Sequence, residues 1–489
     1  MLIENVTYLN CKSVVELINI KNKKERILKM KKVARIIAGI CGAALIFSAA
    51  GCGRKTADTN TAGVTVIEVW SSDTSSKAVY TKLIDKYNSG EGKKAGIKID
   101  YKVKDGESYQ QALDLAYKSG KAPDMFLAPN IATMVEKNQL MPIDDIPGTE
   151  DLMKVREGYI RDFYNSYNGK TYSLPTSGGT MGLLYNKEMF KKAGIVDKGG
   201  NPNPPETWDE LRECAKKLTN SSKQQYGIIL PFKWSGWYDS DVNAAGMASL
   251  GIRSGYDPTT GKFDFSGYEP ILNTFLGIRD DKSYFPGAET IDNDVARARF
   301  AEGNIGMKIG FSFDVGVLND QFPAKIDWGV APLPVVDKNH KYMQPNDPGS
   351  SFSVNAETKI DKDKLAKALN FFYGEDLIVE LYKNCVAAPY NPEIVKDVKI
   401  KNPKKGWMEF CDLLNIAVVV PVNVKNDVSN ETLIGDNFIN KVWVGKMSVK
   451  EALDHETKIR NDGIEKYKSM HPEYDGSKYI IPDWNPVRE

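Results

Sequence analysis

The densest cluster of chemistry-capable side chains in this 489-residue sequence is Lys233-Trp234-Ser235-Gly236-Trp237-Tyr238-Asp239, which interleaves flat rings with hydroxyl, carboxylate and ammonium groups. Such a mixture suits stacking and hydrogen bonding more than bond breaking. Trp70-Ser71-Ser72-Asp73 repeats the combination near the start of the chain, and Gly349-Ser350-Ser351-Phe352 offers hydroxyl and backbone N–H groups on what reads as a turn. Signatures of covalent chemistry are missing from the sequence: there is no GxSxG nucleophile elbow, no HExxH zinc motif and no GxxxxGKS/T phosphate loop. His340, His455 and His471 have no ligand-like spacing, and Asp292-Asn293-Asp294 is too short for a calcium loop, so neither a metal nor a cofactor is expected. A glycoside hydrolase needs only two carboxylates about 5–9.5 Å apart, and an acid-rich chain leaves that alternative open.

The elements that must position these groups are legible from periodicity. The β-branched run Val64 to Trp70, the helical spacing of Val79, Leu83, Ile84 and Tyr87, a strand at Ile97–Val103, a helix at Ser108–Ser119 and a strand at Asp124–Leu127 alternate. Alternation of this kind predicts βαβ units and a mostly parallel sheet covered by helices, with ligand-facing loops along the C-terminal strand edge. Trp70, Ser72 and Asp73 fall at that edge, although a core indole is the competing reading of Trp70. Ser177-Gly178-Gly179-Thr180 reads as a crossover into a second lobe, and Val330-Ala331-Pro332-Leu333-Pro334 as a second extended crossover. Thr207 followed three residues later by Glu210 predicts a capping box. Asp257–Gly261 predicts a turn leading into an exposed hairpin at Lys262–Phe265.

The N-terminus is a different kind of segment. Lys29 to Arg35 is basic, and Ile36 to Ala50 is an uncharged run of about fifteen residues, shorter than the roughly 20 a membrane-spanning helix needs. A charged region, an apolar region and a small-residue site define a secretory signal over residues 1–51, of ordinary length if translation starts at Met30. Ser48-Ala49-Ala50-Gly51-Cys52 resembles a bacterial lipobox, which implies cleavage before Cys52 and lipidation of its thiol. Ala49 stands where leucine is usual, and an ordinary signal peptide is the competing reading. Residues 52–63 then form a polar tether. Subtracting the 9 Lys/Arg and 3 Asp/Glu of residues 1–51 takes the net charge from +1 to about −5, which excludes a basic nucleic-acid footprint. The remaining cysteines, Cys214, Cys385 and Cys411, are odd in number and without CxxC spacing, and read as buried thiols.

Three stretches taken in order carry a family resemblance: Gly169-Lys170-Thr171-Tyr172-Ser173-Leu174-Pro175, then Leu184 to Ile195 (LYNKEMFKKAGI), then Pro204 to Leu211 (PPETWDEL). Ala122 to Phe126, Phe300 to Met307 and Gly445 to Leu453 support them. The chain resembles, over roughly Val64 to Tyr467, the extracellular solute-binding proteins that feed sugars to bacterial ABC importers, the family of maltose-binding protein. The resemblance implies an α/β fold of the type II periplasmic-binding-protein kind, with two lobes and hinge crossovers, lobe 1 comprising 64–178 and 335–357 and lobe 2 comprising 181–330 and 360–489. It implies a monomer without enzymatic activity, held at the extracellular face of the membrane by its lipid, that hands a carbohydrate to permease subunits. An oligosaccharide fits the aromatic density, with a peptide or an anionic small solute as the alternative. A sugar site joins aromatic platforms to hydrogen-bonding side chains. Tyr109 and Asn130 are expected near the site, although capping of the next helix competes for Asn130. At least one of Trp234 and Trp237 is expected in the cleft, with Phe313 where the family commonly stacks a tryptophan on sugar and Ser350 contributing from the turn. No arginine fork for an anion is evident among these loops.

Overall fold

A computed structural model of the chain describes residues 63–488 except residues 75, 105 and 350. The expected signal, tether, lipidated Cys52 and Ser350 therefore lie outside the described residues. The folded unit runs from Val64 onward, and no described helix is long and apolar enough to cross a membrane.

The first sheet is built from the β-branched and aromatic runs identified above. Thr65–Ser71 pairs in parallel with Ile97–Val103 and with Met125–Leu127, and Phe352–Asn355 adds antiparallel between Met125–Leu127 and Leu140–Met141. Both faces are covered. On one face Ile67, Val69, Ile84 and Ile99 pack with Leu365, Leu369 and Phe372, and on the other Trp70 and Phe126 pack with Tyr109, Leu113 and Tyr172. The second sheet has the order Trp328–Ala331, Met181–Asn186, Ile305–Phe311, Tyr226–Ile228, with two antiparallel pairings and one parallel. Its strand Met181–Asn186 is apolar on both faces because helices cover both.

Local signals place the helices. The Thr207 hydroxyl accepts from the Glu210 N–H while the Glu210 carboxylate accepts from the Thr207 N–H, the predicted capping box on Trp208–Leu218. Ser448 and Glu451 make the same motif on Val449–Met470. Asn293–Glu302 ends at Gly303, whose φ of +100° a side chain would strain, and the chain turns there into Ile305–Phe311. The hairpin Tyr256–Asp257 with Lys262–Phe263 forms as expected but is exposed on one side only: Lys262 and Asp264 are exposed, while Phe263 and Phe265 are buried in the second core.

The chain crosses between the sheets three times, once more than the sequence indicates. The first crossing is at Ser177–Gly179. After Trp328–Ala331 the chain stays on the second lobe, where Val335 bonds Glu206 and Tyr342 bonds Ala248, and returns only along Gln344–Gly349. The helices Lys362–Tyr373 and Glu375–Lys383 then pack into the first core, not the second. The chain leaves the first lobe for the last time near Ala388–Pro389, which pairs with Ser177–Gly178. An amphipathic stripe buries equally well against either sheet, so its periodicity could not choose. Gly178 is obligatory at the pairing, since a Cβ there would lie 2.7 Å from the Pro389 carbonyl oxygen.

Candidate ligand cleft

The three crossing segments lie side by side, and cavities open around them between the lobes. One, of about 770 Å³, is lined by Asp73, Thr74 and Ser76 from the first lobe, by Ser177–Gly179, Gly349 and Val386–Ala388 from the crossings, and by Arg297 and Phe311–Phe313 from the second lobe. Asp73 stands just past the end of Thr65–Ser71 and accepts from the Ser76 N–H and hydroxyl. Phe311 and Phe313 are stacked with centroids 4.8 Å apart and planes 11° from parallel, and Phe313 is 54% exposed. The Arg297 guanidinium lies 5.5 Å from the Phe313 centroid and is itself held by Asp314 and Asp294.

A second cavity of about 590 Å³ takes Ala128–Ile131, Arg161, Phe163 and Tyr164 from the first lobe and Asp239, Arg253, Ser254 and the run Val420–Asn426 from the second. A third, of about 570 Å³, is lined by second-lobe residues alone, Lys233, Trp234 and Trp237 among them, and shares Asp239, Ser254, Asn423 and Arg460 with the second. Asp347, on the middle crossing, links the first two: it lines the 770 Å³ cavity, yet its carboxylate is bonded by Arg161 at 3.1 Å and by Arg253 at 2.5 Å, both of which line the second. Burial pushes the Asp347 carboxyl up, but the Arg253 and Arg161 guanidiniums outweigh it and hold the group below the usual carboxylate range. Arg253 also pairs with Asp239 at 3.1 Å.

The expected site residues separate into three groups. Asp73, Asn130, Trp234 and Phe313 line these cavities, and Ser72 is half-buried at the end of the first strand. Asn130 also caps Ile131–Glu136 through the Thr133 N–H at 2.8 Å. Trp234 stands edge-on to Phe311 at 6.0 Å. Three aromatics are buried, Trp70 and Tyr109 away from these cavities and Trp237 at the wall of the third. Trp70 is buried, with its indole donating to Glu68 at 2.7 Å and the Lys104 ammonium 4.2 Å from its ring. Tyr109 spends its hydroxyl on the Leu127 carbonyl at 2.8 Å. Trp237 is 1% exposed, wedged edge-on against Phe232 and stacked on Phe438. Ser350 lies outside the described residues. Arg161, Arg253, Asp347, Arg297 and Lys425 also line these cavities, with little in the sequence to single them out. The only local signal for Arg161 was a charged pair, Arg161-Asp162, inside an aromatic run. Cys214, Cys385 and Cys411 are free and buried as expected.

Two α/β lobes, three crossing segments and an aromatic-lined interlobe cleft define a two-lobed receptor of the type II periplasmic-binding-protein fold. Residues 70–377 match the model of the bacterial extracellular solute-binding proteins, and the chain belongs to that family, which is one of binding proteins and not of hydrolases. The maltotriose-binding protein of Pyrococcus abyssi is 27% identical over 60% of this chain, and the alignment spans 60% of that relative's length. An sn-glycerol-3-phosphate-binding periplasmic protein of Escherichia coli is 24% identical over 74% of this chain and 84% of its own. Among solved structures, the maltose/maltodextrin-binding domain of Bdellovibrio bacteriovorus bound to maltotriose superposes with a TM-score of 0.58 at 18% identity, covering 82% of this chain and 100% of that one. The GacH receptor of Streptomyces glaucescens gives 0.61 at 18% identity, with 84% and 100% covered.

Proposed function

We propose that this chain is the lipid-anchored receptor of an ABC importer, capturing an oligosaccharide between its lobes and presenting it to the permease. The observation that carries the reading is the stacked Phe311–Phe313 pair, whose outer ring is exposed in a cavity that also holds Asp73, Thr74 and Ser312. A flat apolar face beside hydroxyl and carboxylate groups is what a pyranose requires, C–H on one side and paired hydroxyls on the other. The second and third cavities share walls, which gives room for more than one ring. The relative named for maltotriose and the neighbour bound to maltotriose support the ligand class. Closure of the lobes about their crossing segments would bury the ligand and make occupancy readable by a membrane partner.

A screen by tryptophan fluorescence and thermal shift against storage and plant oligosaccharides tests the ligand class. A response to peptides with none to any saccharide would overturn it. Phe313→Ala is expected to weaken the responding sugar about tenfold, the scale of one lost aromatic platform, with the melting temperature little changed because the ring is more than half exposed. For the anchor, Cys52→Ala should move the protein from the membrane fraction to the medium; retention of the variant at the membrane would count against lipidation.

A further inference from the structure

The cleft holds cationic capacity that a neutral sugar does not use. Arg161 is 8% exposed. Its Nη1 bonds Asp347 and its guanidinium lies 4.1 Å from the Tyr164 centroid, but its buried Nε has no hydrogen-bond partner. Buried donors are almost always satisfied, and Arg161 lines the 590 Å³ cavity, so its unmet donor leaves the guanidinium with capacity for a further acceptor. Lys425 borders the same cavity. Its ammonium sits 3.4 Å from the Phe163 centroid, and no carboxylate lies within ion-pair distance of it among the described residues. Burial lowers the Lys425 pKa, and the more distant charges of Asp162 and Glu136 only partly offset that. The other two cations there are already engaged, Arg253 with Asp347 and Asp239, and Arg460 with Glu456.

We infer that the 590 Å³ cavity takes the carboxylate of an acidic saccharide, a uronic-acid residue held by Arg161 and Lys425. The inference rests on the carbohydrate reading above and narrows it. Asn130 and Asn423 on the same walls can meet the hydroxyls of such a ring. Asp239 on the wall and Asp347 behind it disfavour a doubly charged phosphate more than a singly charged carboxylate, because like charges repel in proportion to their product.

Calorimetric titration of the purified full chain with trigalacturonate, maltotriose and glycerol 3-phosphate tests this. Trigalacturonate is expected to bind about tenfold or more tightly than maltotriose, as one or two charge-assisted hydrogen bonds imply, and to weaken with added salt. Lys425→Met keeps the apolar stem over Phe163 and removes the charge; it should cut the acidic-to-neutral affinity ratio about tenfold, whereas Arg161→Gln also unseats Asp347 and is read only alongside it. Equal affinity for the two trisaccharides, or a ratio unmoved by Lys425→Met, overturns the acidic site and leaves the carbohydrate reading standing. Tighter binding of glycerol 3-phosphate than of any saccharide overturns the saccharide assignment. Silence toward every saccharide removes the carbohydrate reading itself.

Discussion

Asp314→Ala is expected to lower the free energy of unfolding by about 3–5 kcal/mol, the cost of breaking a buried ion pair from one side. Asp314 is fully buried. One oxygen accepts from Arg297 Nε at 2.8 Å; the other accepts from the Phe311 N–H at 3.1 Å and lies 3.9 Å from the Lys308 ammonium. Lys308 is itself 2% exposed, with the Ile309 carbonyl at 2.7 Å as its remaining hydrogen-bond acceptor. Alanine would leave that ammonium with Asp241 as its main remaining nearby carboxyl and half of the Arg297 fork without a counter-charge, and would free the backbone at the foot of the Phe311–Phe313 stack. Urea denaturation should show the midpoint falling, and the ligand affinity should fall with it because Arg297 no longer fixes the exposed ring. Asp314→Asn keeps an acceptor for the Phe311 N–H and should fall between the two. A loss below about 1 kcal/mol for the alanine variant, the range of an exposed pair, would show that the cluster is not buried in the working protein.

The parts of the fold that were legible are those set by neighbours in sequence. The strand Ile97–Val103 and the capping boxes at Thr207 and Ser448 depend on residues within a few positions of each other, and the strand and the Thr207 box form where periodicity and spacing put them. What was not legible is partner choice. The apolar stripe of Lys362–Tyr373 says that the helix buries one face, not which sheet receives it, and it goes to the first. Trp234 and Trp237 are three residues apart, chemically identical and on the wall of one cavity, yet packing against Phe232 and Phe438 buries Trp237 while Trp234 stays half-buried. The alternation at Lys262–Phe265 shows a two-sided hairpin, but Thr457 and Asn461 of the long C-terminal helix bond its backbone and bury its phenylalanines. The Arg161–Asp347–Arg253 bridge joins residues 186 and 94 positions apart, a distance over which charge spacing carries no signal. The site was therefore half visible: its loops followed from strand order, its charges from tertiary structure alone.

The stability of the second lobe should depend on pH in the direction opposite to that of a salt-bridged acid. Asp241 is 4% exposed, and its carboxyl is pushed up to about 6, first by burial and then by the nearby Asp314 charge, against the opposing pull of Lys308, the Ser240 hydroxyl and the Trp237 indole. The folded state therefore holds this proton more tightly than the unfolded chain, whose aspartates titrate near 3.8. Its contribution to stability is complete below about pH 4 and is lost as the pH rises through 6, a change of roughly 3 kcal/mol for a shift of about two units. Asp347 works the other way, since its depressed carboxyl stabilises the fold above its unfolded value and loses that contribution as the pH falls. The two trends overlap in wild-type protein, so the informative quantity is the difference from Asp241→Asn, which stays neutral throughout and can still accept the Ser240 hydroxyl now 2.7 Å away. Wild type minus variant, measured by urea unfolding at intervals from pH 4 to 7, should fall steadily, leaving the asparagine variant the relatively more stable protein at neutral pH. A difference that stays flat across that window, or rises with pH, would mean that Lys308 compensates Asp241 fully and that the carboxylate is ionised in the fold at the same pH as in water.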